Sequence, residues 1–469
     1  MVTWKSNLPL IIIGGGPAGM SAAAAALRAD PDVDVILIDG NRALGGQYWR
    51  QPVDERLSEA TSKHLHHLSS YRRLRDELQS AQSAGRLSLM MGSWVWTVTR
   101  DDHGTFTAQI AGDQASTSVR GSRVIICAGA FDRQLPFPGW DLPGVVTAGG
   151  AQALLKTNDV TVGSRVAIGG TGPFLVAVAT GLAEAGATIV GVHEANSYGG
   201  WGRHAGNLAA NPSKLIEGAE LGYLVAKHRI PIRPRTAIIR AIGTDRVKAV
   251  TTARLNRFGR VISGSEKTVP VDAVAVGWGF TAQIELAITL GAHTRVDTDG
   301  SQVVVTDNMQ ASSVEGLYVA GEVSGVGGLE SALVEGEIAG ASAVGATSGK
   351  HSISRRRRVN GFAQAMHHAH PVTDHWQNQL SDETIICRCE EVTYDRLSDT
   401  VTDPITGDPR SAKLATRAGM GWCQGRMCGY AVSCLSANAS ATTTDAFAKR
   451  PVASPVTLGS LAASSGPNE

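Results

Sequence analysis

Four cysteines near the carboxyl end of the chain form two close pairs. The first pair is Cys387-Arg388-Cys389, and 33 residues separate it from the second pair, Cys423 and Cys428, in the stretch GMGWCQGRMCG. Thiolates in two close pairs can ligate zinc or an iron–sulfur cluster. Zinc sites more often use pairs two to four residues apart, so the C-x-C pair favours a cluster over zinc, with inert cysteines as a third alternative.

The glycines around the second pair also fit a cluster, because they would let backbone amides approach its sulfur atoms. These glycines are Gly419, Gly421, Gly425 and Gly429. Five of the six cysteines lie in the last fifth of the chain, which indicates a metal site or a catalytic pair in a reducing compartment rather than a disulfide scaffold. The two other cysteines, Cys127 and Cys434, are expected to be small buried residues.

A glycine-rich turn near the amino end has the pattern of a dinucleotide-binding site. The apolar run from Leu8 to Ile13 predicts a buried parallel strand, a helix follows, and a second strand ends in Asp39. A carboxylate at that position accepts hydrogen bonds from a ribose. The start of the helix contributes roughly half a positive charge toward a pyrophosphate. The candidate residues of the turn are Gly14, Gly16, Pro17, Ala18 and Gly19.

Further short motifs bear on whether this dinucleotide is FAD or NAD. They supply the candidate binding residues Arg42, Gly46, Gln47, Ala128, Gly129, Gly321 and Glu322. The set resembles the two-dinucleotide-binding flavoproteins of the glutathione reductase type, which implies an α/β fold with two Rossmann-like domains. In that family a Gly-Asp pair at the last position holds the flavin ribityl chain, and the next helix, here from about Gly328, points its N-terminus at the flavin. Here the acid is Glu322, one methylene longer.

The strand–turn–helix pattern repeats after Gly150, and this repeat resembles the NAD(P)H domain of such flavoproteins. Its candidate nucleotide-binding residues are Gly170, Gly172 and Glu194. The position of the third glycine is Leu175, preceded by Phe174, and these side chains would hold the helix further from the strand and crowd the cleft. NAD(P), an adenine nucleotide kept for structure and an empty site are therefore alternatives.

The position of the cysteines argues against a disulfide reductase. The redox pair of such an enzyme would lie near Gly45-Gly46 beside the flavin, and the stretch GGQYWRQP contains no cysteine.

The composition excludes other classes of protein. The net charge is +1 over 469 residues, which gives no reason to expect nucleic acid. The apolar segment from Leu8 to Leu27 is interrupted by GGGPAG, so we expect no transmembrane segment and a cytoplasmic protein.

The patterns divide the chain into five parts. Residues 1–150 and 276–348 are predicted to form a split FAD-binding domain, with the second nucleotide fold inserted at 151–275. A basic connector at 349–380 leads to a small α-rich domain at 381–440 that contains the four paired cysteines, and the tail at 441–469 is rich in Ala, Ser and Thr. We expect this tail to wrap another subunit or to be disordered.

Several longer motifs carry a closer resemblance. CRCEEV and GMGWCQGRMCG resemble the 2Fe–2S domain of the bacterioferritin-associated-ferredoxin type, which implies a cluster held by Cys387, Cys389, Cys423 and Cys428. Together with LPFPGWDLPGVVTAGGAQ, GGQYWRQP and RPVASPVTLGSLA, they resemble one family. It comprises α subunits of opine oxidases, of dye-linked proline and hydroxyproline dehydrogenases, and a hydrogen cyanide synthase subunit.

That resemblance implies an α subunit with FAD and a 2Fe–2S cluster that works beside other polypeptides. A β subunit of the D-amino-acid-oxidase type would oxidise an amine or imino acid, with a small third subunit in some complexes. An external acceptor would take the electrons, and a second flavin at a subunit interface is a further expectation. The competing hypotheses are a self-sufficient NAD(P)H-dependent oxidoreductase and a scaffold with zinc.

The sequence assigns no catalytic acid or base. The histidines at 64, 66, 67, 367, 368, 370 and 375 lie in polar stretches and are expected to be solvated. The run from Arg355 to Arg358 is expected to be a solvated linker or a subunit contact.

Overall fold

The computed structural model describes residues 8–52, 67–112, 116–347, 349–401, 408–436, 445–450 and 452–464. The predicted sites all fall within these ranges, whereas His64 and His66 lie outside the described residues, as does the burial of His375.

Strands and helices alternate along the first two thirds of the chain. The strands are β1 (Leu10–Ile13), β2 (Val35–Asp39), β3 (Leu87–Met91), β4 (Ser93–Arg100), β5 (Phe106–Gly112), β6 (Ser116–Gly121), β7 (Arg123–Ile126), β8 (Ala130–Asp132), β9 (Val145–Thr147), β10 (Arg165–Gly170), β11 (Thr188–Glu194), β12 (Ile232–Pro234), β13 (Thr236–Gly243), β14 (Val247–Arg254), β15 (Lys267–Pro270), β16 (Ala273–Gly277), β17 (Phe280–Ala282), β18 (Thr294–Val296), β19 (Gln302–Val304), β20 (Leu317–Val319), β21 (Ile385–Cys387) and β22 (Val392–Thr393). The α-helices are α1 (Pro17–Ala29), α2 (Leu68–Ser83), α3 (Ala148–Asn158), α4 (Phe174–Glu184), α5 (Ala205–Ala209), α6 (Pro212–Lys227), α7 (Glu285–Thr289), α8 (Gly328–Ala343), α9 (Lys350–Ala369), α10 (Tyr394–Val401), α11 (Pro409–Thr416), α12 (Gly429–Leu435), α13 (Asp445–Ala448) and α14 (Leu458–Ser464).

The first sheet is parallel, with the strand order β20-β7-β1-β2-β3. In its centre Leu10 pairs with Val35 on one side and with Arg123 on the other. All four residues of β1 are buried, because a parallel sheet is covered on both faces. Helices α1 and α8 pack closely over one face, where a Cβ on Gly336 would overlap the carbonyl of Ala18. The antiparallel sheet β4-β5-β6 covers the opposite face with apolar side chains.

The second sheet is also parallel, with the order β12-β11-β10-β16-β9. Its glycine turn after β10 and the helix α4 repeat the arrangement of β1 and α1. The antiparallel sheet β13-β14-β15 packs against it. Strands β8 and β17 pair with each other, Phe131 opposite Thr281, and connect the two parallel sheets. The predicted α/β fold with two Rossmann-like domains is confirmed.

The remaining elements lie against this frame. Helix α9 packs along α8, and the chain then turns into the hairpin β21-β22 and the helices α10 to α12, which carry the four paired cysteines. The described tail residues contact the first domain, where Ala453 N donates to Trp96 O at 2.7 Å. In the ranges that the structure describes, none of the helices combines the length and apolar character needed to cross a bilayer.

Candidate functional site

A cavity of about 2220 Å³ lies between the two glycine turns. Its wall also includes helix α6, the end of helix α9 and residues that follow the last cysteine pair. The predicted site residues in the wall are Gly14, Gly16, Pro17, Ala18, Asp39, Gly46, Gln47, Ala128, Gly129, Gly172, Gly321 and Glu322. Eight predicted binding or ligand positions lie outside the wall: Gly19, Arg42, Gly170, Glu194, Cys387, Cys389, Cys423 and Cys428. The cavity therefore brings together candidates from both nucleotide sites.

The first glycine turn leaves one position open toward the cavity. Gly14 has φ +107°, and a Cβ there would overlap the carbonyl of Cys127. A Cβ on Gly19 would overlap Gly14 O, so this glycine allows the helix to approach the strand. By contrast, a Cβ on Gly16 would meet nothing nearer than the Cα of Gly46, at 3.8 Å. Gly16 also begins helix α1 without a side-chain cap, so the turn and the helix start leave room for a pyrophosphate.

The acid at the end of β2 is held by backbone and side-chain donors. Asp39 Oδ2 accepts from Gly15 N at 2.5 Å, and Oδ1 accepts from both nitrogens of Asn41, at 2.6 and 2.8 Å. Asp39 lines the cavity, so its carboxylate is positioned at the end of the turn where a ribose would lie. The side chain of Arg42 is exposed and outside the wall, and Arg50 lines the cavity in its place.

Glu322 presents a carboxyl oxygen that has no partner. Its Oε1 accepts from Gly328 N at 3.0 Å, at the start of helix α8, whereas Oε2 is buried and unbonded. Burial raises the pKa of Glu322 to about 7. A buried polar atom without a partner is rare in a folded protein. Glu322 lines the cavity, and a rotation of its carboxyl group would bring the unbonded Oε2 to a ligand hydroxyl, so the residues present fit a flavin ribityl chain.

In the second glycine turn, the acid is engaged by the turn itself. Glu194 Oε2 accepts from Gly172 N at 2.8 Å. Its Oε1 accepts from the hydroxyl of Thr171 at 3.0 Å and from Asn196 N at 2.9 Å. Both oxygens are therefore occupied, and Glu194 is buried. Asp39 in the first turn likewise accepts three hydrogen bonds from the chain, so the occupancy of the carboxylate oxygens does not distinguish the two turns.

The connector after helix α9 lies directly on the second turn. His370 Nδ1 is 3.4 Å from Glu194 Oε2, and Trp201 Nε1 donates to His370 Nε2 at 3.0 Å. Asn196 Nδ2 donates to the carbonyl of Pro371 at 2.9 Å. The indole can only donate, so Nε2 of His370 accepts and the neutral ring carries its proton on Nδ1, toward Glu194. The prediction that His370 is solvated is wrong, because the chain folds back onto the turn and buries it.

The bulky residues at the third glycine position lie in different surroundings. The rings of Phe174 and Phe280 are 5.2 Å apart between centroids, at the wall of the cavity. Leu175 is buried in the core of the second domain. The helix therefore packs on the sheet, and Phe174 adds an aromatic ring to the cavity wall without breaking the fold.

The arginine run is only partly solvated. Arg356 is mostly buried, 3.5 Å from Glu335 Oε1, and it donates to the carbonyl of Asp307 at 3.0 Å. Glu335 in turn accepts from Gly321 N at 3.0 Å. The expectation of a solvated run fails at this position because α9 packs on α8. Arg356 thus supports the Gly321 turn of the candidate flavin site through Glu335.

The four paired cysteines meet through their side chains. The side chain of Cys428 interacts with those of Cys387 and Cys423, and the side chain of Cys389 interacts with that of Cys423. The hydrogen bond from Cys428 is the main reason that the pKa of Cys387 falls to about 6 and that of Cys423 to about 5. The two sequence pairs, separated by 33 residues, therefore converge on one locus.

Backbone amides surround the two acceptor sulfurs. N–H groups of Gly419, Glu390 and Cys389 point at Cys387. Those of Met427 and Gly425 point at Cys423. Sulfurs that accept several amide hydrogen bonds are typical of iron–sulfur sites. In the described ranges, however, no three His, Cys, Asp or Glu side chains are arranged around one point as ligands of a single metal ion.

The cysteine unit is docked against both nucleotide domains. Trp140 Nε1 donates to Ile385 O at 2.6 Å, two residues before Cys387. Tyr430, two residues after Cys428, lines the cavity and stacks on the guanidinium of Arg133. Arg426 lies 3.3 Å from Glu285 Oε1 on the first domain. Cys428 is therefore only two residues in sequence from Tyr430, which lies in the cavity wall.

Several residues of the site were not found from the sequence, and four of them are buried deeply enough to have a structural role. They are Arg133, Lys156, His370 and Tyr430, and each is buried or mostly buried. Only the position of Tyr430 next to the last cysteine offered a local indication. The others lie far in sequence from the motifs they contact, so their roles depend on tertiary structure.

Comparison with known proteins agrees with this architecture. The sequence pattern of the pyridine nucleotide-disulphide oxidoreductase family matches residues 8–343. Hydrogen cyanide synthase subunit HcnB of Pseudomonas aeruginosa is 31% identical over 438 residues, covering 90% of this chain and 92% of the relative. An opine oxidase subunit of Rhizobium meliloti is 30% identical over 476 residues, covering 96% of this chain and 98% of the relative.

A solved structure extends the likeness over nearly the whole fold. The crystal structure of L-proline dehydrogenase from P. horikoshii superposes with a TM-score of 0.65 at 18% identity, covering 97% of this chain and 79% of that chain. This likeness concerns the fold alone. The chain belongs to the pyridine nucleotide-disulphide oxidoreductase family, and the predicted class of flavin-dependent oxidoreductase is confirmed.

Proposed function

We propose that the chain is the flavo-iron–sulfur subunit of a heteromeric amine or imino-acid dehydrogenase or oxidase. In this proposal FAD accepts two electrons from C–N bond oxidation in a partner β subunit, and a 2Fe–2S cluster passes them singly to an external acceptor. The observation that carries the proposal is the convergence of four cysteines in a unit docked on the nucleotide cavity.

The first glycine turn and its surroundings support the FAD part. The open face of Gly16 would admit the pyrophosphate, Asp39 would bind the ribose, and the unbonded Oε2 of Glu322 would accept from the ribityl chain. The other proposed contacts come from Gly14, Pro17, Ala18, Gly46, Gln47, Ala128, Gly129 and Gly321, which all line the cavity. The chain's own residues thus bind and orient the flavin.

The pairing of the sulfurs supports a 2Fe–2S cluster over zinc. Such a cluster has two irons with two cysteine ligands each, so it needs pairs of thiolates and not three or four ligands around one point. Cys387, Cys389, Cys423 and Cys428 are the proposed ligands. Gln424 directly follows the proposed ligand Cys423 and has φ +54°. Glu391 lies two residues after the proposed ligand Cys389 and has φ +52°. These uncommon conformations turn the backbone in both ligand loops.

The second nucleotide turn supports a donor other than NAD(P)H. His370 Nδ1 lies 3.4 Å from Glu194 Oε2, and the Pro371 carbonyl accepts from Asn196, so the connector lies against the acid of this turn. A self-sufficient NAD(P)H-dependent oxidoreductase would need this site open. Gly170, Gly172 and Glu194 are therefore proposed to hold the connector in place of a nicotinamide nucleotide.

The partner and substrate class come from the relatives. Two of them are named as subunits, one of hydrogen cyanide synthase and one of opine oxidase, which implies a heteromeric complex. We assign the amine-oxidising step to a β subunit of the D-amino-acid-oxidase type. The further components of the proposed complex are an interface flavin and a small third subunit. Within this chain, no residue has been assigned as a catalytic acid or base.

The test begins with the anaerobically purified chain. Its visible spectrum and its flavin, iron and zinc contents would be measured on one sample. About two irons per chain with flavin support the proposal. Zinc without iron would overturn the electron-transfer function.

A second step tests which electron donor reduces the flavin. The flavin absorbance would be followed after adding NADH alone, an opine or proline alone, and either substrate together with the co-expressed β subunit. Bleaching only when an amine and the β subunit are both present supports the proposal. Rapid bleaching of the isolated chain by NADH would favour the self-sufficient oxidoreductase.

A further inference from the structure

Lys156 is a buried cation that the proposed function leaves without a role. It lies on helix α3 in the wall of the cavity and is only 5% exposed. Its Nζ donates to the carbonyl of Tyr48 at 2.9 Å and lies 5.5 Å from the centre of the Tyr48 ring. These contacts hold the ammonium beside the Gly46–Tyr48 loop but do not neutralise it.

The described part of the chain supplies no anion to Lys156. Its charged neighbour is another cation, Arg50, and burial together with that charge lowers the pKa of Lys156 to about 8. Burial and the charges of Glu217 and Glu330 raise the pKa of Tyr48. Both carboxylates have other partners: Glu217 pairs with Lys214 at 2.7 Å, and Glu330 accepts from Ser213 at 3.0 Å. Burial of an ammonium is costly unless an anion accompanies it.

Two other buried cations in the described ranges are paired with carboxylates. Arg133 is 2.8 Å from Asp299, and Arg450 is 2.7 Å from Glu285. Lys156 therefore departs from a pattern that the same fold follows elsewhere. A buried charge without its counter-ion, in the wall of a cavity, indicates a ligand site.

Arg50 provides a second donor group near Lys156. Its Nε and Nη2 donate to Gln47 Oε1 at 3.0 and 2.6 Å, which fixes the plane of the guanidinium. Arg50, Gln47 and Lys156 all line the cavity. A planar guanidinium beside an ammonium matches the oxygens of a phosphate or a carboxylate.

The size of the cavity leaves space for a second ligand. Its volume of about 2220 Å³ is more than twice that of ordinary ligand pockets, which measure about 300–1,000 Å³. A dinucleotide on the first glycine turn would occupy only part of it. Lys156 lies on helix α3 and belongs to neither glycine turn.

We propose that the cavity contains an oxyanion-binding subsite in which Lys156 and Arg50 hold the phosphate or carboxylate of a second ligand. The subsite goes beyond the flavin and cluster function, since its anion is distinct from the FAD pyrophosphate. The two sources of the anion, a phosphate ester and a carboxylic acid, share the same recognition chemistry.

The experiment measures anion binding by thermal unfolding of the full chain. Inorganic phosphate and acetate are titrated separately, with sodium chloride at matched ionic strength as the reference. We expect a saturable rise in the melting temperature, and Lys156→Met should weaken the apparent affinity by about tenfold or more. The control is Lys214→Met, which removes a cavity lysine already paired with Glu217 and should leave the affinity unchanged.

Flavin content and anion-free stability complete the test. Lys156→Met should keep its flavin and be at least as stable as the wild type without anion, because it no longer buries an unpaired charge. Response to phosphate alone identifies a phosphate ester, and response to acetate identifies a carboxylic acid. Equal binding by the wild type and Lys156→Met, no saturable binding, or loss of flavin from Lys156→Met would each overturn the subsite. A wild type without flavin would instead contradict the proposed function.

Discussion

The guanidinium carbon of Arg133 lies 4.2 Å from the centre of the Tyr430 ring. The same guanidinium donates to the carboxylate and to the carbonyl of Asp299, both at 2.8 Å. Arg133 follows the strand that connects the two domains, whereas Tyr430 lies in the helix that begins after Cys428. One buried cation thus links the first domain, the interdomain strand pair and the cysteine unit.

Replacing Arg133 should destabilise this junction. The side chains of Arg133 and Asp299 are 1% and 9% exposed, so Arg133→Met leaves a buried carboxylate without its partner. We expect a loss of about 3–5 kcal/mol in the free energy of unfolding, measured by denaturant titration with tryptophan fluorescence. Arg75→Met is the matched control, because Arg75 pairs with Asp76 at the surface and should cost less than about 1 kcal/mol. Equal losses in the two variants would contradict a structural role for the buried pair.

Two glycines of the same turn should respond differently to a side chain. A Cβ on Gly16 meets nothing closer than 3.8 Å, so Gly16→Leu should fold but exclude the pyrophosphate. The purified protein should melt near the wild-type temperature of the flavin-free chain and contain almost no FAD. Gly14→Ala should instead fail to fold stably, since Gly14 has φ +107° and its Cβ would overlap the Cys127 carbonyl. Normal flavin content in Gly16→Leu would mean that the flavin binds elsewhere.

Replacing a proposed ligand cysteine should remove the iron, whereas replacing Cys434 should not. Cys423→Ser should lower the iron content from about two atoms per chain to nearly none while the flavin content stays the same, because Cys423 lies outside the cavity wall. Cys434→Ser is the control: its thiol hydrogen-bonds to Tyr430 and not to the quartet. Iron and flavin would be quantified on the same samples. Retention of iron in Cys423→Ser, or its loss in Cys434→Ser, would show that the ligand set is wrong.

Removing the His370 contact over the second turn should lower the stability of the chain without restoring a nucleotide site. His370→Ala leaves the indole N–H of Trp201 without its acceptor, which should cost about 1–3 kcal/mol. NADH should still fail to bleach the flavin, because Pro371 remains against the turn through Asn196 and the Phe174 ring remains in the cavity wall. His103→Ala, at an exposed turn, should alter neither property. Flavin reduction by NADH in His370→Ala would show that the connector alone blocks a working site.

The sequence predicts the parts of this fold that local patterns determine. The strand before Gly14 and the helix after it follow from an apolar run and a glycine turn, and the structure places them at Leu10–Ile13 and Pro17–Ala29. The same holds for Gly321 and the helix from Gly328. In each case the residues that matter are neighbours in the chain, so their spacing carries the information.

Contacts between distant segments explain what the sequence does not predict. His370 belongs to a polar stretch, and its burial depends on where helix α9 ends relative to the turn at Gly172. Arg133 acquires its role from two contacts. Asp299 is 166 residues away in the sequence, and Tyr430 belongs to the cysteine unit. Lys156 resembles any lysine at the end of a helix until the cavity around it is known.

Glu322 should make the stability of the flavin-free chain depend on pH. Its pKa in the folded chain is about 7 against an ordinary value of 4.5, because burial disfavours the carboxylate. The folded state therefore holds a proton that the unfolded state has released between these values. The associated stability is complete below about pH 4.5 and is lost as the pH rises through about 7.

Glu322→Gln removes this titration and keeps an oxygen that can accept from Gly328 N. We expect the variant to match the wild type at about pH 5 and to melt a few degrees higher at about pH 8, as measured by thermal unfolding of flavin-free protein. Glu315→Gln, at a carboxylate that is 75% exposed, should show no such divergence. If Glu322→Gln and the wild type melt together at both pH values, Glu322 is an ordinary ionised carboxylate, and its free oxygen no longer supports a hydroxyl-bearing ligand at this position.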